Sequence, residues 1–231
     1  MKKIMLTLAV IGLATTMSWA DDDRQEAVDR LDHSAKVMHE IMAAPDKGIP
    51  DEVLDHAKCI AVVPHMIKGG FVFGAQGGKG VATCRTASGR WSAPAFFAIT
   101  GGSWGLQIGV EGVDLVMVVQ NEKGMQHLLS SKFQLGADAS AAAGPVGRHA
   151  SADTDWKLNA EILTYSRAKG AFAGLTLTGA DVRRDDDSMK AFYGSDVTSR
   201  AVLDGQVPAP PQAHTFLSSI RSAKAEAAVN K

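Results

Sequence analysis

The sequence predicts an α+β protein whose centre is an antiparallel, glycine-rich sheet, curved or closed into a small barrel, covered by N-terminal and C-terminal helices. Two observations predict it. Helical periodicity brackets the chain, and between those ends six short apolar runs succeed one another at close spacing. Short strands so close together favour antiparallel meanders, because a parallel crossover needs a dozen or more residues.

Val28, Leu31, Ala35, Met38 and Met42 recur at spacings of three and four, which places them on one face of a helix over Arg24–Ala43. Asp21, Asp22 and Asp23 suit the positive end of its dipole, and Pro45 and Gly48 end it. A short second helix starts at Pro50 and carries Val53 and Leu54. Strand-like runs come next at Cys59–Val63, stopped by Pro64, then at Gly70–Gly74, Gly80–Cys84, Ala95–Ile99, Trp104–Ile108 and Val113–Val119. Lys68-Gly69, Gly77-Gly78, Ser88-Gly89 and Gly101-Gly102 supply turns between them. Gly69, Gly70, Gly77 and Gly80 recur 32 residues later as Gly101, Gly102, Gly109 and Gly112. This echo predicts two similar strand pairs, bent or closely packed at the glycines. Met125–Ser131 forms one or two helical turns, and Ala137–Ala143 is ambiguous. Late strands lie near Ala160–Tyr165 and Ala171–Leu177, with a short helix over Ser188–Tyr193. Pro208, Pro210 and Pro211 mark a linker before a helix over Thr215–Ala228.

Lys2 and Lys3, an apolar run over Ile4–Leu13, and small residues at Ser18 and Ala20 match an export leader cut after Ala20. The run is shorter than the ~20 residues that cross a bilayer. The expected boundaries are 1–20 for the leader, 21–205 for one domain and 206–231 for the linker with its helix. The expected address is periplasmic or secreted. Cleavage leaves 211 residues, enough for one sizeable core, and removes Lys2 and Lys3, so 22 basic residues face 25 acidic ones at a net charge of −3. That balance excludes a nucleic-acid partner bound by bulk charge, so any anion site is a local patch. Cys59 and Cys84 lie in strand-like segments that could pair across a hairpin; an oxidising compartment favours a bridge, and two buried free thiols are the alternative.

Each catalytic motif lacks its context. Gly101-Gly102-Ser103-Trp104-Gly105 matches the Gly-x-Ser-x-Gly of hydrolases, but the residues after Ser103 alternate like a strand where that motif needs a helix. Ser166-Arg167-Ala168-Lys169 matches Ser-x-x-Lys without its partner motifs. Gly74–Gly80 resembles a phosphate loop, but Phe73 and Gly80 stand where it needs glycine and a hydroxyl residue. A turn there with Lys79 could hold an anion weakly. The seven histidines show no zinc spacing, and Asp185-Asp186-Asp187 reads as a solvated acidic turn rather than a calcium loop. No enzyme activity, metal or cofactor is expected.

Lys68-Gly69-Gly70-Phe71 through Gly77-Gly78-Lys79-Gly80, then Gly101 through Gly109, resemble the SYLF domain family, also called the Ysc-type actin-binding domain. The likeness continues over Asp114-Leu115-Val116, Ser131-Lys132-Phe133, Leu135 through Ser140, Ala143 through Gly147 and Tyr165 through Gly174. The resemblance implies binding to membrane lipids, phosphoinositides in eukaryotic relatives, and actin in fungal ones. Actin is not expected to carry over, because an exported protein would not meet it. The expected ligand is another anionic phospholipid or a membrane surface, and the expected lipid-binding cations are Lys68, Lys79, Lys132, Arg148, Arg167 and Lys169, in or beside the motifs. The apolar face of the first helix packs on the sheet by default and could instead dip into lipid. Trp91, Trp104 and Trp156 are core residues by default and otherwise interfacial anchors. The alternatives to lipid binding are a structural or protein-interaction module of the cell envelope and, further off, a serine hydrolase using Ser103.

Overall fold

The computed structural model of the chain describes residues 2–44, 48–70, 73–104, 109–146, 160–168, 171–172 and 177–229. Helix α1 (Lys2–Met42) and a short α2 (Asp51–His56) precede four long strands, β1 (Cys59–Gly70), β2 (Phe73–Cys84), β3 (Ala95–Trp104) and β4 (Gly109–Val119). Then come α3 (Glu122–Leu129), β5 (Lys132–Gln134), β6 (Ala141–Ala143), β7 (Ile162–Ala168), β8 (Ala171–Phe172) and β9 (Asp181–Arg184). The last elements are α4 (Asp186–Tyr193), α5 (Ser199–Leu203), a 3-10 turn at Pro211–Ala213 and α6 (His214–Val229). The strands run in the order β5-β9-β3-β2-β1-β4-β7-β6, with β8 beside β7, and the eight-strand path curls into a half-barrel with helices at both ends. The α+β class is as expected. One ladder departs from the antiparallel rule, since β6 runs parallel to β7.

β1 is the spine. Cys59 through Val63 are all buried, because β2 and β4 flank them and both sheet faces are covered. This explains a continuous apolar run where a one-sided strand would alternate. Pro64 does not stop the strand. The chain passes it through a bulge, with His65 at φ 56° and its N–H donating to Asp114 Oδ1 at 2.9 Å. Cys59 stands opposite Cys84 in the β1–β2 register, and the two form a disulfide.

The glycines behave differently from the turns expected of them. Gly77-Gly78 and Gly101-Gly102 lie inside β2 and β3. A Cβ on Gly78 would stand 2.7 Å from Val63 Cγ1, and one on Gly80 would stand 2.5 Å from the Val62 carbonyl oxygen and 2.6 Å from the Phe97 ring. These positions are glycine because neighbouring groups already fill the side-chain space. Only Ser88-Gly89 forms the expected reversal, with Gly89 at φ 77°.

Helix α1 lies on the sheet through Leu31, Ala35, Met38 and Met42, all buried. The default reading of its apolar stripe therefore holds for these residues. Asp21, Asp22 and Asp23 fall within α1 rather than at its start, because the helix already runs from Lys2. Arg30, 5% exposed, fixes the helix: it donates to Asp185 Oδ2 and Ser188 Oγ, both at 3.1 Å, and lies over the Phe96 ring. Phe96 in turn meets Phe192 of α4 edge-on. Asp185 is thus no solvated turn residue. It is buried, caps α4 by accepting from the Ser188 N–H, and faces Lys79 at 3.8 Å. Burial pushes its carboxyl pKa up, but the hydrogen bonds from Ser188 and the charges of Lys79 and Arg30 outweigh burial and hold it below the usual carboxylate value. On the remaining side, α3 and α5 close the space around Phe97, Phe133 and Val182.

Replacing both cysteines by serine should cost about 3 kcal/mol in denaturant unfolding, since the bridge closes a loop across a sequence separation of 25 residues. Gly80→Ala should cost about 1–3 kcal/mol by overpacking, whereas Gly102→Ala, whose Cβ meets only the Gly74 oxygen at 3.9 Å, should leave the melting temperature near wild type. Asp185→Asn should cost about 1–3 kcal/mol at neutral pH, because Arg30 loses its buried carboxylate partner and keeps only the more exposed Glu26 at 2.7 Å. Because the folded-state pKa of Asp185 is depressed, its stabilisation is complete above the ordinary value of 3.8 and is lost as pH falls through the lower folded value. The variant should therefore show a flatter acid limb than wild type when unfolding is followed against pH.

Candidate functional site

Four of the six expected cations fall within the described residues, and they are dispersed. Lys79, in the middle of β2, pairs with Glu26 of α1 at 3.3 Å. Arg167 of β7 pairs with Glu40 at 2.8 Å, fourteen residues further along α1. Lys132 of β5 pairs with Asp181 of β9 at 3.0 Å. Lys132 and Arg167 sit six strand steps apart in the sheet order, about 29 Å along its surface at the usual strand spacing. Lys68 lies near the far end of β1, half-buried, opposite Gln76 and Glu111 in register. Arg148, Lys169 and Trp156 lie outside the described residues. Lys79 and Arg167 thus act as clamps holding α1 to the sheet. Glu26 reports the same clamp: burial raises its pKa, and the hydrogen bonds and charges of Lys79 and Arg30 bring it below the ordinary carboxylate value.

A different set of cations gathers where β1 begins and β2 ends. Directly after Cys84 the chain leaves the sheet in a tight reversal. The Arg85 N–H donates to the Lys58 carbonyl at 2.7 Å, the Thr86 N–H to the Arg90 carbonyl at 2.8 Å, and the Gly89 N–H to the Thr86 carbonyl at 2.8 Å. This turn, the segment from Asp204 to Ala209, and the side of α6 bearing Leu217, Ile220 and Arg221 border a cleft of about 1050 Å³. Leu54 and Ile60 contribute to its apolar lining. Arg85, Arg90 and Arg221 border it together with Trp91, Thr86 and Ser88, and among the described residues Asp204 is the one carboxylate on its lining.

The three guanidinium groups differ from the clamp residues. Among the described residues, none of them has a carboxylate within 4.0 Å. Arg85 is held in place: its guanidinium carbon lies 4.4 Å from the Trp91 ring centroid, Nε donates to the Ala57 carbonyl at 3.2 Å and Nη1 to the Gly89 carbonyl at 3.2 Å. Arg90 and Arg221 are exposed on the rim. Gly205, at φ 79°, fits the opposite wall against the turn, since a Cβ there would run into Thr86 Cγ2. Of this set, the sequence singles out Trp91 and, as a turn, Ser88-Gly89. The arginines carry no motif, and 131 residues separate Arg90 from Arg221.

The hydrolase arrangement does not form at Ser103. That residue lies inside β3, opposite Gly74 of β2, rather than at a strand-to-helix turn. Ser166 lies in β7 and is buried. No group of three or more metal-ligating side chains occurs among the described residues. No described helix is long and apolar enough to cross a membrane. A second groove of about 630 Å³ beside α1 is lined by acids and bases in near balance, among them Glu26, Asp29, Lys36, His65 and Asp114. Gly112 leaves room there for the His65 ring, which lies 3.1 Å from where a Cβ would be.

Comparison with known proteins agrees with the motif resemblance. Residues 100–223, more than half of the chain, match the family model described as "Ysc84: Las17-binding protein actin regulator". The chain is 32% identical over 195 residues to SH3 domain-containing YSC84-like protein 1 of Rattus norvegicus, covering 82% of this chain and 57% of that protein. It is 32% identical over 186 residues to the protein of that name in Homo sapiens, covering 78% and 54%. It is 34% identical over 180 residues to Protein YSC84 of Saccharomyces cerevisiae, covering 77% and 38%. The chain thus spans about half the length, or less, of the curated relatives it matches. These names describe binding or regulatory proteins, not enzymes. The expectation that actin does not carry over to this chain is overturned: it rested chiefly on the inferred export address, and the matched family is described by its actin-regulatory and Las17-binding role. The chain belongs to the Ysc84, or SYLF, domain family.

Proposed function

We propose that this chain is a non-enzymatic binding module whose ligand is an anionic phospholipid surface, met in the periplasm behind a cleaved leader. One observation carries the reading: three guanidinium groups without carboxylate partners among the described residues border a single cleft, while Lys79, Lys132 and Arg167 on the sheet are neutralised in ion pairs. A protein with a small net negative charge can still present a local positive potential where its cations are left uncompensated. Arginine favours phosphate because its planar fork matches two oxygens at once. Trp91 beside Arg85 supplies the amphipathic ring that suits a membrane interface.

A protein-binding role is the second reading. It is favoured by the family description and by the relative named LAS seventeen-binding protein 3. On that reading the same cationic rim meets an acidic surface of an actin-regulatory protein.

Cosedimentation separates the two. The chain should be taken up by vesicles containing phosphatidylglycerol, not by neutral ones, and uptake should fall as salt rises. Near an anionic surface each cation contributes ~1 kcal/mol, so Arg90→Gln with Arg221→Gln should weaken uptake roughly thirtyfold. Wild type that ignores every anionic vesicle yet sediments with actin filaments would transfer the assignment to the protein partner.

A further inference from the structure

We infer that the cleft is a discrete receptor for one tetrahedral phosphate group, with Arg85 as its fixed element, rather than a diffuse cationic patch. This deepens the lipid reading and rests on it for the ligand's natural source. Free phosphate esters and lipid headgroups share the recognised chemistry.

Arg85 is positioned before any ligand arrives. Two of its N–H donors are spent on the carbonyls of Ala57 and Gly89, and a guanidinium has five. Three donors therefore remain, on a group already stacked on Trp91. A side chain fixed in advance loses little freedom on binding, which is where preorganised sites gain affinity. The backbone beneath it is equally constrained. The Cys59–Cys84 bridge ends one residue before Arg85, and the Cys84 N–H donates to Ser92 Oγ at 3.1 Å. An adsorbing surface needs no such bracing, because mobile lysines on a face suffice for it.

The charge at the cleft fits the ligand. Three arginines against Asp204 leave an excess of two positive charges on the lining. A phosphate monoester carries about −1.5 to −2 near neutral pH, with three strong acceptor oxygens. The hydroxyls of Thr86 and Ser88 are engaged within the turn, Thr86 donating to the Arg90 carbonyl at 3.0 Å and Ser88 Oγ accepting from Arg90 Nε at 3.3 Å, so the guanidinium groups are left to meet the ligand. A carboxylate offers one charge and two oxygens and satisfies this set less completely.

Calorimetric titration of the full chain with glycerol phosphate, at constant ionic strength in chloride, tests the inference beside vesicles of phosphatidylcholine with or without phosphatidic acid. One phosphate ester should saturate one site per chain and displace the protein from the phosphatidic acid vesicles. Arg85→Lys, which keeps the charge and loses the fork, should weaken both by about tenfold or more. Trp91→Leu, which removes the stacking partner while leaving all three arginines, should weaken them as well. It keeps the test decisive if the lysine variant melts early. Loss confined to vesicles, with no response to the soluble ester, would assign the site to a lipid headgroup. Saturation by the ester without vesicle uptake would keep the receptor and overturn the membrane reading. Vesicle uptake unchanged in both variants, with no competition by the ester, would overturn the receptor and leave surface adsorption. Absence of both responses in wild type would overturn both.

Discussion

The register that sets Cys59 against Cys84 is the constraint on which the rest depends. It fixes where the β1–β2 ladder ends, and so where the chain is released to turn. Arg85 is the first residue past that point, and its backbone still bonds to Lys58 before the reversal begins. A slip of one residue would send every side chain of β2 to the opposite face. Val81 would leave the core, and Gly78 and Gly80 would no longer meet the crowded atoms of Val62, Val63 and Phe97. The bridge and the glycines therefore specify one register from two directions, by a covalent tie and by the absence of side-chain volume.

The distribution of ion pairs divides the molecule's cations by task. Arg30, Lys79 and Arg167 all meet carboxylates that join α1 to the sheet or α4, and their charge is consumed in that union. Such pairs locate a helix more than they stabilise it, because desolvation offsets much of the Coulomb attraction. Arg85 is constrained by a different means, an aromatic face and two backbone carbonyls. Those contacts orient a guanidinium and leave its net charge intact. This distinction lets a chain with nearly balanced charge keep a cationic cleft.

The sequence carried the local features well. Helical spacing placed Leu31, Met38 and Met42 on the buried face of α1, and Pro50 opened α2 as expected. The strand-like context of the two cysteines was enough to favour their bridge. Glycine was ambiguous by nature, since it serves turns and crowded strands alike. At Gly77-Gly78 and Gly101-Gly102 the deciding atoms belong to other strands or to distant residues such as Ala180. Asp185 misled for a related reason: three consecutive aspartates look solvated until Arg30, 155 residues away, comes to meet the first of them. The short strands β5, β6 and β9 are legible only once their neighbours exist. The cleft arginines were hardest of all, because no local pattern links the turn after Cys84 to a residue of the last helix.

The residues that carry the family resemblance are mostly scaffold. Gly144 lies where a Cβ would run into the Tyr165 ring, and Gly101 lies where one would stand 3.0 Å from Ala180. Gly136 holds φ 86° beside Asp138, whose carboxylate accepts from the Gln134 N–H. Such positions dictate how the sheet curls, and they would do so whatever the protein binds. The turn with Arg85, Arg90 and Trp91 lies before residue 100, ahead of the segment that the family model matches, although the relatives align across it. Binding residues collect on loops held by a rigid frame because loops vary at little cost to the core. Relatives can therefore share this half-barrel and differ in partner. On the proposed reading the chemistry of the cleft decides the partner, since its guanidinium groups, one of them fixed, favour a compact oxyanion over an apolar surface.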